Sequence, residues 1–274
     1  MFDYESEGKE ICHYTKVVTL KHLIEYRNDK QSNLRLSNVA YMNDPSEGRI
    51  LIDILDGLST KKIYSNLFGL KKKSNNERDE LTLSNVYIGS FSTAINKLPM
   101  WTLYGDDSKG CCLVFEDDYF GKSSYNEDST KTSDTILTLY KVHYVDINAP
   151  ETSELFNDLK KLAETIEAQA DLIQTDSKIK KWIMNNMESV RFLFKCKDYE
   201  YEDEVRVVLH PKPYEIIVDD TSTLVPKIFA VINKKLIYKE VILGSKIEKP
   251  SEIAPFLLHS GSVEKVSKSG IEYQ

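Results

Sequence analysis

The chain is short of the features that would place it quickly. Its 274 residues hold four cysteines, eleven glycines, eight prolines and five histidines, and no apolar run reaches the roughly 20 residues of a membrane-spanning helix. The first ten residues, MFDYESEGKE, are acidic and polar, which is the reverse of a secretory leader. Cys12, Cys111, Cys112 and Cys196 show no C-x-x-C spacing, so a zinc site and a disulfide framework are both disfavoured and the thiols read as reduced. A formal net charge of −7 excludes a broad basic surface for gripping phosphates, leaving only short clusters such as Lys71-Lys72-Lys73 and Lys180-Lys181. There is no Gly-rich phosphate loop, internal repeat or long Pro/Gly/Ser linker. A cytoplasmic protein with no membrane contact is expected.

What is present is ordinary globular material, 41% hydrophobic and 29% charged, with enough length for a sizeable core. Alternating or β-branched runs predict strands over Asn85–Ser92, Gly110–Phe115, Ile136–Val145, Glu204–Leu209, Tyr214–Val218, Glu240–Leu243 and Val263–Val266. Helical spacing appears around Leu20 to Arg27, from Ser46 to Leu58, and most clearly over Ser153–Ala170 and Lys178–Phe194. Helices first, then strands, a helical pair and strands again do not make a βαβ alternation, so the fold class is α+β. The chain reads as one domain over 1–274 with a helical insertion at about 150–197, and Lys122–Ser133 (KSSYNEDSTKTS) reads as a surface loop.

Four polar segments interrupt this pattern. Cys12-His13-Tyr14-Thr15 precedes the first helix, where Thr15 or Thr19 is an expected N-cap. In VAYMNDPSEGR, Asp44 suits a turn and Ser46 suits the cap of the next helix, but Asn43, Asp44 and Glu47 crowd together more than a turn needs, just after Arg35 on the extended run LRLSN. Ser90 and Ser92 close a strand, followed by Pro99-Met100-Trp101 and Tyr104-Gly105, where Pro99 starts a short helix, Gly105 ends it, and Trp101 and Tyr104 fit the core. In KCKDYEYEDEVR, Glu202, Glu204 and Arg206 alternate, which on a strand puts all three on one face, with Lys195 and Arg206 at hand to offset the carboxylates.

Taken together, HYT, LRLSNVAYMNDPSEG, GSFS, PMWTLYGDDSKGCCLVF, FKCKDYEYEDEVRVV and EVILGSK resemble a widespread bacterial family labelled a domain of unknown function, over about His13 to Gly244. The order of an early His-Tyr-Thr or Arg strand, a Ser-x-Ser strand and a late Glu-x-Glu strand is also similar to the ADP-ribosyltransferases. That resemblance implies a split, mostly antiparallel sheet with flanking helices, and an enzyme that cleaves NAD as its substrate. It implies Glu204 as the catalytic glutamate with Glu202 beside it, and His13, Tyr14, Thr15, Arg35, Ser90, Ser92 and Trp101 around the NAD. Asn43, Asp44, Glu47 and Arg206 would form the remaining wall. Phe91 between the serines departs from the small residue usual there, and the Asn43–Gly48 segment has no counterpart. The same resemblance implies a toxin-like effector of antiphage defence acting on a nucleic-acid or protein acceptor, with a neutralising antitoxin partner. Two further readings stand beside it: a metal-dependent nucleic-acid-processing protein built on Asp44, Glu47, Glu202 and Glu204, and a non-catalytic ligand sensor on the same fold.

Overall fold

The computed structural model describes residues 4, 8–24, 33–42, 44, 46–61, 63–69, 85–121, 137–209, 215–219 and 225–271. Asn43, Pro45, Arg27, Tyr214 and the Lys122–Ser133 segment lie outside the described residues. Strands β1 (Cys12–Thr15), β2 (Asn33–Asn38), β3 (Tyr87–Ser92), β4 (Cys111–Phe115), β5 (Tyr140–Lys141), β6 (His143–Val145), β7 (Phe194–Cys196), β8 (Glu204–Leu209), β9 (Glu215–Asp219), β10 (Lys227–Lys235), β11 (Tyr238–Leu243) and β12 (Val263–Lys268) alternate, among the described residues, with eight α-helices. These are α1 (Val17–Leu23), α2 (Ile50–Leu58), α3 (Ile63–Leu67), α4 (Leu98–Leu103), α5 (Phe156–Ala168), α6 (Ala170–Thr175), α7 (Ser177–Val190) and α8 (Pro250–His259). Ten of the described strands make one open sheet in the order β12-β11-β4-β1-β3-β2-β10-β9, with β8 also on β3 and β5 on β8. Every pairing in that sheet is antiparallel except β11 with β12. The protein is a mixed α+β structure.

The sheet forks at β3. Strand β8 pairs with β3 along its whole length, from Tyr87↔Leu209 to Ser92↔Glu204, so β1 and β2 share the opposite edge. Strand β1 holds the Ser92 end through Cys12↔Ser92, and β2 holds the other end through Ser37↔Ile88 and Asn38↔Tyr87. Between them, neither strand pairs with Gly89, Ser90 or Phe91, and the two arms of the sheet diverge from there.

The two larger of four apolar clusters among the described residues lie on either side of this frame. One fills the sheet face with residues such as Leu36, Phe91, Leu113, Val207, Val241 and Leu257. The other joins α2 and α3 to the helices after residue 150 through Leu51, Leu55, Tyr64, Leu159, Ala163 and Met187. The expected helical insertion therefore shares its core with the early helices, because α5 to α7 present only a stripe of apolar residues and α2 is apolar almost all round. Asp56 fixes the α2–α3 corner by accepting from the Tyr64 and Ser65 amides, both at 2.9 Å.

Several local expectations change. The run Ile136–Val145 is two strands, because Val142 donates its amide to the Glu204 carbonyl at 3.2 Å and the chain then leaves β8 to pair β6 with β7 in a second, parallel pair. The helix predicted over Ser153–Ala170 starts at Phe156 and breaks at Gln169 before α6. Asp176, whose side chain accepts from Lys178 and Ile179 amides, caps α7, and Phe194 belongs to β7 rather than to a helix. Ser46 does not cap α2, whose N-cap is Arg49 without a side-chain bond, and Thr15 and Thr19 do not cap α1, whose N-cap is Lys16. Cys12–Thr15 is itself a strand, and β10 and α8 form where none was read from the sequence.

Candidate functional site

The fork places one face of β3 and β8 against the helical half. Side chains alternate along a strand, so the register Ser92↔Glu204 and Ser90↔Arg206 puts all four on that face, while Phe91, Val205 and Val207 turn into the sheet core. Glu202 does not reach this face by strand alternation. It ends a 3₁₀ turn, Lys197–Glu202, and Asp203 in the left-handed region (φ 43°) separates it from β8. Its carboxylate arrives at the same place from the turn. The other side supplies Lys195 from β7 and Glu47 from the turn before α2.

The result is a buried ionic cluster. Arg206 donates through Nε to Glu204 Oε1 at 2.7 Å and through Nη2 to Glu204 Oε2 at 2.8 Å and Glu47 Oε1 at 3.1 Å, and its Nη1 donates to the Phe192 carbonyl. Lys195 Nζ donates to Glu202 Oε2 at 2.5 Å and Glu204 Oε2 at 3.2 Å, and lies 3.5 Å from Glu47 Oε1. Tyr104 donates its hydroxyl to Glu202 Oε1 at 2.5 Å, and the Tyr144 hydroxyl accepts the Glu204 amide at 2.8 Å. Arg206 is completely buried. Two cations against three carboxylates leave the cluster one negative charge in surplus when all are ionised.

Protonation follows from that geometry. Burial opposes ionisation of Glu204, but Arg206 and Lys195 outweigh it and, with the Ser90 side chain, hold its pKa at about 2. It is a fixed anion. Burial wins at Glu47, whose pKa is raised in spite of Arg206 and Lys195. Burial and the neighbouring Glu202 raise the Tyr104 phenol, while burial lowers the His13 imidazole. Lys195 keeps its proton because Glu204, Glu202 and Glu47 outweigh the cost of burial.

A cavity of about 830 Å³ opens against this cluster, within the size range of small-molecule sites. Its wall includes His13, Tyr14, Arg35, Asp44, Glu47, Ser90, Ser92, Glu202, Glu204 and Arg206 from the sequence-derived set. His13 donates through Nδ1 to the Ser90 carbonyl at 3.0 Å, exactly where the β3 edge is unpaired by strands, and so braces the fork. Tyr14 gives its hydroxyl to the Ala94 carbonyl at 2.9 Å and stands edge-on to Trp101. Arg35 is the exposed cation of the wall, 3.7 Å from Asp219. Ser92 donates to the Glu202 carbonyl at 2.5 Å and accepts from the Ala94 amide, which ties β3 to the 3₁₀ turn. Thr15 and Trp101 are not brought to the wall. Trp101 is fully buried, with its indole N–H on Asn96 Oδ1 at 2.9 Å, so it has no face for a ligand.

The MNDPSEG turn is built around Asp44 rather than Ser46. Asp44 Oδ1 accepts the Ser46 amide at 2.8 Å and the Ser46 hydroxyl at 2.6 Å, and the Asp44 carbonyl accepts the Glu47 amide. Gly48 then adopts φ +74°, and a Cβ there would lie 2.6 Å from the Phe192 ring. The turn therefore seats Glu47 in the cluster and Asp44 in the cavity wall, while Asn43 lies outside the described residues. Sequence reasoning named Tyr104 only as a core aromatic and did not reach Tyr144 and Tyr199, which touch the cluster through Glu204 and Lys195. Their signal was faint: the tyrosines of KDYEYE beside two acids, and a tyrosine in a β-run.

The fold and the site define an α+β protein with a mostly antiparallel open sheet and a cavity based on a buried ionic cluster. Residues 100–207 match a family described as Protein of unknown function (DUF2971), a stretch that carries Tyr104, Lys195, Glu202, Glu204 and Arg206 and leaves out Glu47 and the β1 to β3 side of the fork. No curated protein and no solved structure matches the chain. Among the described residues no helix is long and apolar enough to cross a membrane.

Proposed function

We propose that the protein cleaves NAD at the bond between nicotinamide and ribose, as an ADP-ribosyltransferase or NAD glycohydrolase on a sheet of that type. The observation that carries the reading is Glu204, an anion held by Arg206 and Lys195 in the wall of the cavity, beside the fork of the sheet. Cleavage sends the bonding electron pair to nicotinamide and leaves positive charge on the ribose carbon, as in glycoside hydrolysis. A carboxylate held in place before the reaction stabilises that charge without reorganising. Arg206 and Lys195 take three of the roughly four acceptor sites of the Glu204 carboxylate and the Ser90 side chain bonds to it as well, so a ribose hydroxyl would engage Glu204 by taking the place of Ser90.

The other roles follow from position. Arg35, exposed at the wall, suits a phosphate, and Ser90 and His13 hold the β3 edge against which the nucleotide would lie. Glu202 is less suited to act directly as a base, since Tyr104 and Lys195 occupy both its oxygens; a proton from the attacking group would pass by way of the Tyr104 hydroxyl. The acceptor, whether water, protein or nucleic acid, and a toxin-like role with a neutralising partner belong to the same proposal. The metal-dependent reading has less support, because Lys195 and Arg206 already bond to the carboxylates of Glu47, Glu202 and Glu204 and, among the described residues, no group of three His, Cys, Asp or Glu is arranged to hold an ion.

The test is NAD consumption by purified protein with and without chelator, wild type against Glu204→Gln and Arg35→Ala. Turnover that survives chelator, falls at least about 100-fold in Glu204→Gln and shows a raised KM in Arg35→Ala supports the reading. Absence of turnover in folded wild type with cell extract as acceptor source overturns it and moves the weight to a ligand-binding role.

A further inference from the structure

We infer that the cavity is a binding site for an organic cation of the alkylammonium class. The charged side chains of its described wall are three cations, Arg35, Lys195 and Arg206, against five carboxylates, Asp44, Glu47, Glu202, Glu204 and Asp219. The deficit of positive charge is local. Glu202 and Glu204 are matched by Lys195 and Arg206, and Arg35 stands beside Asp219, whereas Asp44 and Glu47 each keep one buried carboxylate oxygen, Oδ2 and Oε2, with no hydrogen-bond partner among the described residues. Both side chains are more than nine-tenths buried and form part of the wall. A carboxylate left in that state is costly, and a bound positive charge relieves it.

The rest of the wall suits an organic cation better than a bare metal ion. Tyr41, Tyr104 and Tyr199 stand in it, and Tyr199 already carries the Lys195 ammonium 4.8 Å from its ring centre. Aromatic faces beside carboxylates are the chemistry that recognises ammonium groups. Leu23, Leu34, Phe229 and Leu236 supply the apolar length that an alkyl chain would cover. A hard divalent ion needs six or more oxygens, and here the two fixed cations point at the same carboxylates. The inference does not depend on NAD cleavage.

The experiment is calorimetric titration of the whole chain with n-butylammonium chloride, with sodium n-butyrate and n-butanol as anionic and neutral counterparts of equal length. Binding of the ammonium alone, weakened by added salt, is the expected result. Asp44→Asn keeps the oxygen that accepts from Ser46 and is expected to lower the affinity about tenfold. Should that variant fail to fold, Glu47→Gln serves in its place. An N-acetyl-lysine amide that binds more tightly than the free amine supports a protein side chain as the natural source, and the reverse supports a free amine. Equal binding of butanol, displacement of the ammonium by Mg²⁺ at stoichiometric concentration, or no binding of any of the three overturns the inference. NAD turnover measured on the same protein separates the two ideas: turnover without amine binding removes this one alone, and amine binding without turnover removes the NAD reading alone.

Discussion

Arg206 holds two buried carboxylates and a carbonyl, so removing it leaves Glu204 and Glu47 sharing Lys195, which also serves Glu202. Arg206→Met is expected to cost about 3–5 kcal/mol of stability in urea unfolding, and Glu204→Gln in that background is expected to restore part of it, since the orphaned charge goes with it. The same residue sets an acid limit. The Glu204 pKa falls from its ordinary 4.5 to about 2 on folding, so its contribution is present above pH 4.5 and is lost as the pH falls towards 2. That contribution is about 3 kcal/mol. Glu47, with its raised pKa, works in the opposite sense: it favours the fold below pH 4.5 and loses that effect as the pH rises through its folded value. Urea midpoints measured from pH 2 to 7 are expected to fall steeply below 4.5 in the wild type and much less in Glu204→Gln.

At the scale of elements, the turn from α4 into β4 is the tightest part of the frame. Asp106, Asp107 and Ser108 are all left-handed, and β11 runs so close behind them that a Cβ on Gly244 would lie 2.1 Å from the Ser108 carbonyl oxygen. Backbone cannot yield there as a side-chain tip can. Gly244→Ala is expected to destabilise by more than about 2 kcal/mol, read as a lowered Tm, whereas Gly57→Ala, inside α2 with nothing near its Cβ, is expected to raise stability by up to about 1 kcal/mol. The sequence carried much of this level. The runs NVYIGSFS, GCCLVF and EVRVVL announced β3, β4 and β8 through β-branched and aromatic content, and the carboxylates of EYEDEVR marked the cluster. It could not carry Asp203: a single left-handed residue swaps strand alternation for a 3₁₀ turn, and nothing in YEDEV distinguishes the two. Nor did Ser46 declare its role, because Asp44, two residues earlier, competes for the same turn and takes its hydroxyl. β10 went unread because KIFAVINKK, with apolar residues on both faces and a lysine at each end, lacks a clean period of two.

Across the whole molecule, the ionic cluster joins the two larger apolar clusters: Glu47 and Lys195 come from the helical side, and Glu204 and Arg206 from the sheet. The chain has two tryptophans, Trp101 buried beside the sheet and Trp182 exposed on α7, so tryptophan emission follows the sheet side and far-UV helicity follows the helical side. The two signals are expected to share one urea midpoint in the wild type and to separate in Arg206→Met, as the joint gives way before the cores. The fork has a further consequence for the order of folding. Strand β1, among the earliest residues, waits for partners at 87–92 and 111–115, and β2 waits for β10 at 227–235. Both arms of the fork are therefore closed by pairings between segments far apart in the sequence, which form more slowly than local helical contacts. The cavity beside the fork is thus expected to be completed late in refolding, after the helices that supply its other wall, and ligand binding is expected to appear only in the slowest phase.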